Sequence, residues 1–363
     1  MDVSPFPFHG PLEPGQVHGR DDLIADLIER ISTRRVTALL GPRRFGKTSV
    51  LGRVAEYAET GGATVVSIDL YEVSSMADIA VRLDEALATA SGPGVAQLRN
   101  LAASAEINLG LVKLLFARRS SDQPNPVAVV HLLADALVAM GRRTPTLLII
   151  DEFPGIDRVD GAAGLLRTKL QGHVQEIGII FAGSHTSLMR AMFSDVERPF
   201  YGQADLVEIG PLSAPAVTDL VERGFAETDR DPGAVAAHIH QFTDGHPQRT
   251  MQLADAAWRH AAPGEPYLDE LWGQALADAR AQTEPAHESM FSRSSASDQK
   301  ALRLIANGEP LFGSAASFVD LSAGAGQSSR DRLVDFGEIT KAGSRWRLVD
   351  PMYADWIRRR FPM

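Results

Sequence analysis

The octapeptide Gly41-Pro42-Arg43-Arg44-Phe45-Gly46-Lys47-Thr48 constrains this chain more than any other segment, because of what flanks it. An apolar run, Val36 to Leu40, precedes it, and a helix-forming stretch from about Thr48 to Glu59 follows. The pattern G-x-x-x-x-G-K-[ST] in a strand–loop–helix setting is a phosphate-binding loop. Its glycines let backbone N–H groups turn inward around anionic oxygens, and the helix N-terminus adds partial positive charge. Lys47 is then placed to reach the outer phosphates of a nucleotide, and Thr48 to offer its hydroxyl to Mg²⁺. A glycine turn beside an exposed lysine is the competing reading, and it leaves the flanking strand and helix unexplained.

A second apolar strand, Thr146 to Ile150, runs into Asp151-Glu152. Asp151 is expected to hold Mg²⁺, directly or through water, since that ion prefers oxygen ligands. Glu152 is expected to orient and deprotonate an attacking water. Acidic residues at a strand end are common, so the weight lies in the pairing with the phosphate loop about 100 residues upstream. The next apolar strand, Ile177 to Ala182, ends at Gly183-Ser184-His185-Thr186. Ligands gather at the carboxyl ends of parallel strands, which makes Ser184 a candidate sensor of the terminal phosphate or the water. Capping of the following helix by Ser184 or Thr186 is the alternative, and the two roles can coexist.

Short apolar strands (Val36 to Leu40, Ala63 to Leu70, Thr146 to Ile150, Ile177 to Ala182, Leu206 to Ile209) alternate with amphipathic helices, predicting an α/β fold with a covered parallel sheet. Helices are expected at Asp21 to Ile31, Met76 to Ala90 and Val127 to Met140. Ile107 to Phe116 reads as strand or helix, and Ser120 to Pro126 as a loop. The Pro- and Gly-rich first eighteen residues read as an extended lead-in. Beyond Pro211, Ala214 to about Ala281 reads as a helical bundle broken at Gly233 and at Asp244-Gly245-His246-Pro247. Thr283 to Asp298 reads as a linker, followed by three helices and a hairpin through Trp346, the pattern of a winged helix. The expected domains are therefore a nucleotide-binding α/β domain at residues 1–212, a helical lid at 213–285 and a winged helix at 286–363.

With no cysteine, the chain has no disulfide, thiolate metal site or cysteine nucleophile. The start MDVSPFPFHGPLEPG lacks a signal-peptide pattern, and no apolar run approaches the roughly 20 residues of a membrane span. The cytoplasm is the expected location, with no membrane partner. A net charge of −10 argues against a surface generally suited to nucleic acid. Met290 to Met363 is locally basic, however, with eleven Lys and Arg against eight Asp and Glu. His238 and His240, two apart, point in different directions on a helix and do not make a metal pair.

These residues together resemble the archaeal-type P-loop ATPases, a branch close to the STAND and origin-recognition-like AAA+ ATPases. The resemblance spans nearly the whole chain: Phe8-His9-Gly10-Pro11, His18-Gly19-Arg20-Asp21, Gly41 to Ser49, Leu147 to Pro154, Pro199-Phe200-Tyr201-Gly202, Asp244-Gly245-His246-Pro247 and Val349-Asp350-Pro351. It implies ATP or ADP with Mg²⁺ between sheet domain and lid. Gly19 and Arg20 would lie near the adenine, the stretch through Ser49 around the phosphates, and His246-Pro247 at the lid position that responds to them. Family members often carry an arginine finger after Tyr-Gly; Gln203 stands there, leaving Arg198 as the substitute. The expected function is a slow ATPase acting as a regulatory switch through a protein partner or self-association. The alternatives are a DNA-associated ATPase in replication, mobile-element biology or defence, with Arg330, Arg332, Lys341, Arg345 and Arg347 facing DNA, or a nucleotide-stabilised scaffold.

Overall fold

Five of the apolar runs pair as one wholly parallel sheet: β1 (Thr37–Leu40), β2 (Thr64–Asp69), β3 (Thr146–Asp151), β4 (Ile177–Gly183) and β5 (Asp205–Glu208). The structure, a computed structural model, describes residues 3–104, 109–117 and 124–363. Strand order is β2-β3-β4-β1-β5, so the chain crosses over before it pairs β1 with β4. Alternate side chains enter two cores. Leu39, Leu147, Ile149 and Ile180 face the helices Asp21–Ser32 and Lys47–Thr60. Leu40, Leu148, Ile150 and Phe181 face Met76–Ala88 and Pro126–Gly141. Both faces are covered, which is why these strands read as continuous apolar runs rather than as alternation.

A third core is built by the helices Ala214–Ala226, Val235–Thr243, Pro247–His260 and the first half of Trp272–Arg293. Side-chain caps set two of their starts: Ser213 Oγ accepts from the Ala216 N–H and His246 Nδ1 from the Arg249 N–H. The fourth core belongs to the C-terminal helices Ala296–Ala306, Ser314–Phe318, Ala323–Asp335 and Pro351–Arg360, with the antiparallel hairpin of β6 (Ile339–Ala342) and β7 (Arg345–Leu348). Helices followed by such a hairpin form a winged helix. Among the described residues no helix is long and apolar enough to cross a membrane.

The expected linker at Thr283 to Asp298 is instead helical. Trp272–Arg293 passes unbroken through Pro285, and Ser295 then caps the next helix at the Asp298 N–H. Ala275, Ala279, Thr283, His287 and Phe291 are all buried at four-residue spacing, and this stripe outweighs the hydrogen bond lost at proline. The final helix, Pro351–Arg360, lies beyond the hairpin and ends in Arg358-Arg359-Arg360; Asp350 starts it by accepting from the Met352 and Tyr353 N–H groups. Of the ambiguous stretch Ile107 to Phe116, Val112–Ala117 is helical, whereas Ile107 and Asn108 lie outside the described residues, as do Ser120 to Gln123 of the expected loop.

The N-terminal lead-in is extended apart from a short 3-10 turn at Pro14–Gln16, and it is anchored at Phe6. Phe6 is 2% exposed, with its ring centroid 5.8 Å from that of Phe225. A β-carbon at Gly224 would lie 2.3 Å from the Phe6 ring, so glycine there makes the space. Truncating Phe6 therefore opens a cavity in the third core. Phe6→Ala is expected to destabilise that unit by roughly 3–5 kcal/mol, read as a lower urea midpoint with an unchanged circular dichroism spectrum before the transition.

Candidate functional site

Parallel pairing places the ends of β1, β4 and β3 side by side, and each delivers one part of the site. Past β1 the loop doubles back so tightly that a β-carbon on Gly41 would lie 2.2 Å from Ile209 Cγ2. Arg44 and Gly46 take the left-handed conformation, at φ 67° and 84°, before the Lys47–Thr60 helix begins. Lys47 is 5% exposed, and its Nζ donates to the carbonyls of Gly41 (2.8 Å) and Pro42 (2.9 Å). Burial lowers its basicity to about 8, although Glu152 and Asp151 pull the other way.

At the end of β3, Asp151 accepts from Thr48 Oγ1 at 2.8 Å and from the Glu152 N–H at 2.9 Å. Burial raises the Asp151 carboxyl, opposed by the Thr48 hydrogen bond. A hydroxyl and a carboxylate at this distance are hard oxygen donors of the kind Mg²⁺ takes, so the donor set fits that ion. Glu152 itself is left-handed (φ 46°), and this turns its carboxylate back over the strand ends. There it accepts from Ser184 Oγ at 2.5 Å and from the Ser184 N–H at 3.3 Å. Ser184 thus holds Glu152 and is not a helix cap; nor does Thr186, which is itself the first residue of Thr186–Ser194, act as one.

These groups open into a cleft of about 720 Å³ walled by the lead-in, the phosphate loop, the lid and the winged helix. Of the residues singled out in the sequence, Arg20, Arg43 to Ser49, Glu152, Ser184, His246 and Pro247 line it. Gly19, Gly41 and Pro42 do not. Gly19 packs against Ala216 of the lid, and the other two serve the site through carbonyls that take up the Lys47 amine. Asp151 does not line the cleft itself but is joined to two residues that do, Thr48 and Glu152. Arg198 lies elsewhere, with its guanidinium 2.6 Å from Asp157, and Gln203 is not part of the lining either. The lead-in and lid supply an apolar end that the sequence reading did not assign to the site, including Phe8, Leu12, Leu212 and Met251. Two contacts tie down the wall there: the Leu12 N–H donates to Ser49 Oγ (2.9 Å), and Gln248 Nε2 to the Phe8 carbonyl (3.2 Å).

The winged helix closes the opposite wall with Phe336, Gly337, Glu338, Asp350 and Tyr353. Its joint with the lid is the Arg249–Asp350 pair, in which Arg249 Nε lies 2.9 Å from Asp350 Oδ1 while the Nη2 end engages Oδ2. Arg44 of the phosphate loop lies 3.9 Å from the same carboxylate, and His287 Nε2 lies 4.0 Å from it. Burial would raise the Asp350 carboxyl, but the Arg249 hydrogen bonds and charge outweigh it and hold the group at about 2. Two weaker contacts flank this joint: Arg347 of the wing meets Asp244 of the lid, and Ser187 Oγ donates to Asp335 at 3.1 Å. The sequence signal for the joint was only the Val349-Asp350-Pro351 motif.

Burial lowers His246 and His287 from 6.5 to about 4, and both ring nitrogens of His287 lack hydrogen-bond partners among the described residues. The unfolded chain therefore binds more protons than the folded one between pH 6.5 and 4. Stability conferred by the neutral rings is complete above 6.5 and is lost as pH falls through that window. His287→Phe keeps the ring against Tyr353 and Trp356, and it is expected to flatten the fall in urea midpoint between pH 6.5 and 4 relative to wild type.

No protein-family model and no curated protein matches this sequence. Solved structures do match its fold. A Walker-type ATPase of Pyrococcus abyssi aligns at 18% identity over 98% of this chain and 99% of that one, with a TM-score of 0.72. The ORC2 protein of Aeropyrum pernix, solved as ADPNP-ADP complexes, aligns at 15% identity over 98% of both chains, with a TM-score of 0.54. The ORC1 protein of Aeropyrum pernix, solved in complex with DNA, aligns at 13% identity over 94% of this chain and 93% of that one, with a TM-score of 0.52. At these identities the likeness is one of fold. The chain has the fold of a P-loop, AAA+-like ATPase with a helical lid and a C-terminal winged helix.

Proposed function

We propose that this protein binds ATP with Mg²⁺, hydrolyses it slowly and uses the outcome to set the position of its winged helix. The observation that carries the reading is the convergence of Lys47, Thr48–Asp151 and Glu152–Ser184 on one cleft whose far wall is the winged helix. Lys47, now bonded to neutral carbonyls of its own loop, would exchange these for phosphate oxygens, a stronger charge-assisted partner. The backbone N–H groups of Arg43 to Thr48 would cradle the phosphates, with the base at the apolar end beside Phe8, Leu12 and Arg20. Mg²⁺ held at Thr48 and Asp151 would neutralise charge on the phosphate oxygens. Glu152, aimed by Ser184, would orient the water and take its proton.

A protein-facing switch is favoured over DNA reading by where the basic side chains of the winged helix are spent. Arg332 lies 2.7 Å from Asp298, Arg330 lies 2.7 Å from Asp331, and Arg347 meets Asp244. Lys341 and Arg345 are exposed and leave a DNA-associated role as the second reading, in keeping with the DNA complex of one structural neighbour. We take the units as residues 1–212, 213–285 and 286–363, the last two sharing the helix Trp272–Arg293. A cytoplasmic location follows from this reading. So does a protein partner or second copy that meets the winged helix once it is released.

Purified protein should carry or bind ATP and ADP, and Lys47→Ala should weaken that affinity by about 100-fold, as expected for losing a hydrogen bond to a charged group. Glu152→Gln should bind normally while turnover falls on the order of 10²–10⁴-fold. Calorimetry and a phosphate-release assay read the two separately. Turnover unchanged in Glu152→Gln would remove Glu152 from the mechanism, and wild-type protein that neither binds nor hydrolyses ATP would remove the whole reading.

A further inference from the structure

An arginine supplied in cis or in trans can stabilise the charge of phosphoryl transfer, and the one suggested by the sequence is not at hand. Arg198 is paired with Asp157 and does not line the cleft, and Gln203 offers no charge. The other cations of the cleft wall are mostly spoken for. Arg20 donates to the Gly210 carbonyl at 2.7 Å, and Arg44 lies 3.9 Å from Asp350. Arg43 differs from them. It lines the cleft, it is exposed, and among the described residues it has no hydrogen bond and no ion pair.

A ring contact indicates where it points. The Arg43 guanidinium carbon sits 5.9 Å from the centre of the Tyr71 ring, and Tyr71 follows the end of β2. Arg43 follows β1, and β4 and β3 lie between those two strands. A side chain leaning from the β1 side toward Tyr71 leans in the direction of the ends of β4 and β3, and it shares the cleft lining with Glu152 and Ser184. Those ends carry Ser184 and Glu152.

We propose that Arg43 is the arginine of the reaction, supplied in cis from within the phosphate loop, where it binds the γ-phosphate oxygens and stabilises the charge that develops during transfer. This rests on the ATPase reading above. In the step it serves, the water oxygen bonds to the γ-phosphorus while the bond to the β,γ-bridging oxygen breaks. ADP leaves with that electron pair, and the proton of the water goes to Glu152. The Tyr71 face holds the guanidinium near this path by a cation–π contact weak enough to yield to phosphate.

The test uses full-length protein, wild type and Arg43→Ala, with three readouts. ADP affinity, which depends on Lys47 and the loop backbone, should change by less than about threefold. Turnover should fall on the order of 10³-fold. The gain in affinity that aluminium fluoride confers on Mg-ADP, a measure of transition-state binding independent of turnover, should be lost in the variant. Wild-type turnover per molecule should also be independent of protein concentration. Arg43→Ala that hydrolyses at the wild-type rate, or that keeps the aluminium fluoride gain, overturns the assignment. Wild-type turnover that rises with concentration also overturns it, by placing the arginine on a second copy. A wild type that binds no nucleotide overturns the ATPase reading and this one with it, and is told apart by the failure of ADP binding at the outset.

Discussion

Everything at the site depends on the parallel pairing of β1 with β4 and of β4 with β3. Leu40 is level with Gly183, and Ile150 with Phe181, so the chain leaves the three strands within a residue or two of the same height. From that edge come the phosphate loop, Ser184 and the Asp151-Glu152 pair. A slip of one residue in either pairing would exchange the faces of a strand and carry its apolar side chains into the wrong core. Register is therefore enforced by burial on both faces, with Leu39 and Ile180 on one side and Leu40 and Phe181 on the other. The polar geometry inherits its precision from this apolar constraint. Thr48 reaches Asp151 and Ser184 reaches Glu152 across strands, and neither contact would survive a shifted strand.

The second dependence is electrostatic and lies at Asp350. A buried ion pair contributes little net stability, because desolvation offsets its Coulomb energy, but removing one partner is costly. Arg249 and Asp350 are nearly buried, so the pair acts chiefly to fix how the winged helix sits on the lid. Asp350 also starts the last helix through its carboxylate, which makes the same side chain responsible for local and long-range order. With Arg44 only 3.9 Å away, the phosphate loop is within reach of this joint. On the proposed reading, phosphate drawing on Arg44 would weaken one side of the Asp350 environment without breaking the Arg249 pair.

Legibility in the sequence followed the strength of local patterning. Gly41 to Thr48, Thr146 to Glu152 and Ile177 to Ser184 combine apolar runs with residues that suit only the end of a strand, and the sheet, its helices and the groups at its edge could be read from them. Thr283 to Asp298 was misread because its composition is polar and contains Pro285. The buried stripe that keeps it helical has a core to face only once the last helix is present. Burial of Phe6 and the Gln248–Phe8 contact depend on pairings across more than two hundred residues, for which no local pattern exists. Gly19, Gly41 and Pro42 sit next to lining residues in sequence but do not themselves line the cleft, a distinction that a motif does not carry.

The contacts around the winged helix are unequal, and their inequality bears on how a switch could work. Arg347–Asp244 and Ser187–Asp335 are exposed, and pairs of that kind contribute at most about 1 kcal/mol each. Arg280 meets Asp355 through two hydrogen bonds of 2.9 and 2.8 Å, and Trp356 Nε1 donates to Glu284 at 2.8 Å; both lock the last helix onto Trp272–Arg293. The winged helix is thus bound firmly to that long helix, whereas its polar contact with the sheet domain, Ser187–Asp335, is exposed. Movement at modest cost would keep the winged helix and its helical stem together and separate them from Ser187 and the phosphate loop. Such a movement would open the cleft wall at Gly337 and Glu338 while leaving the cores of both units intact.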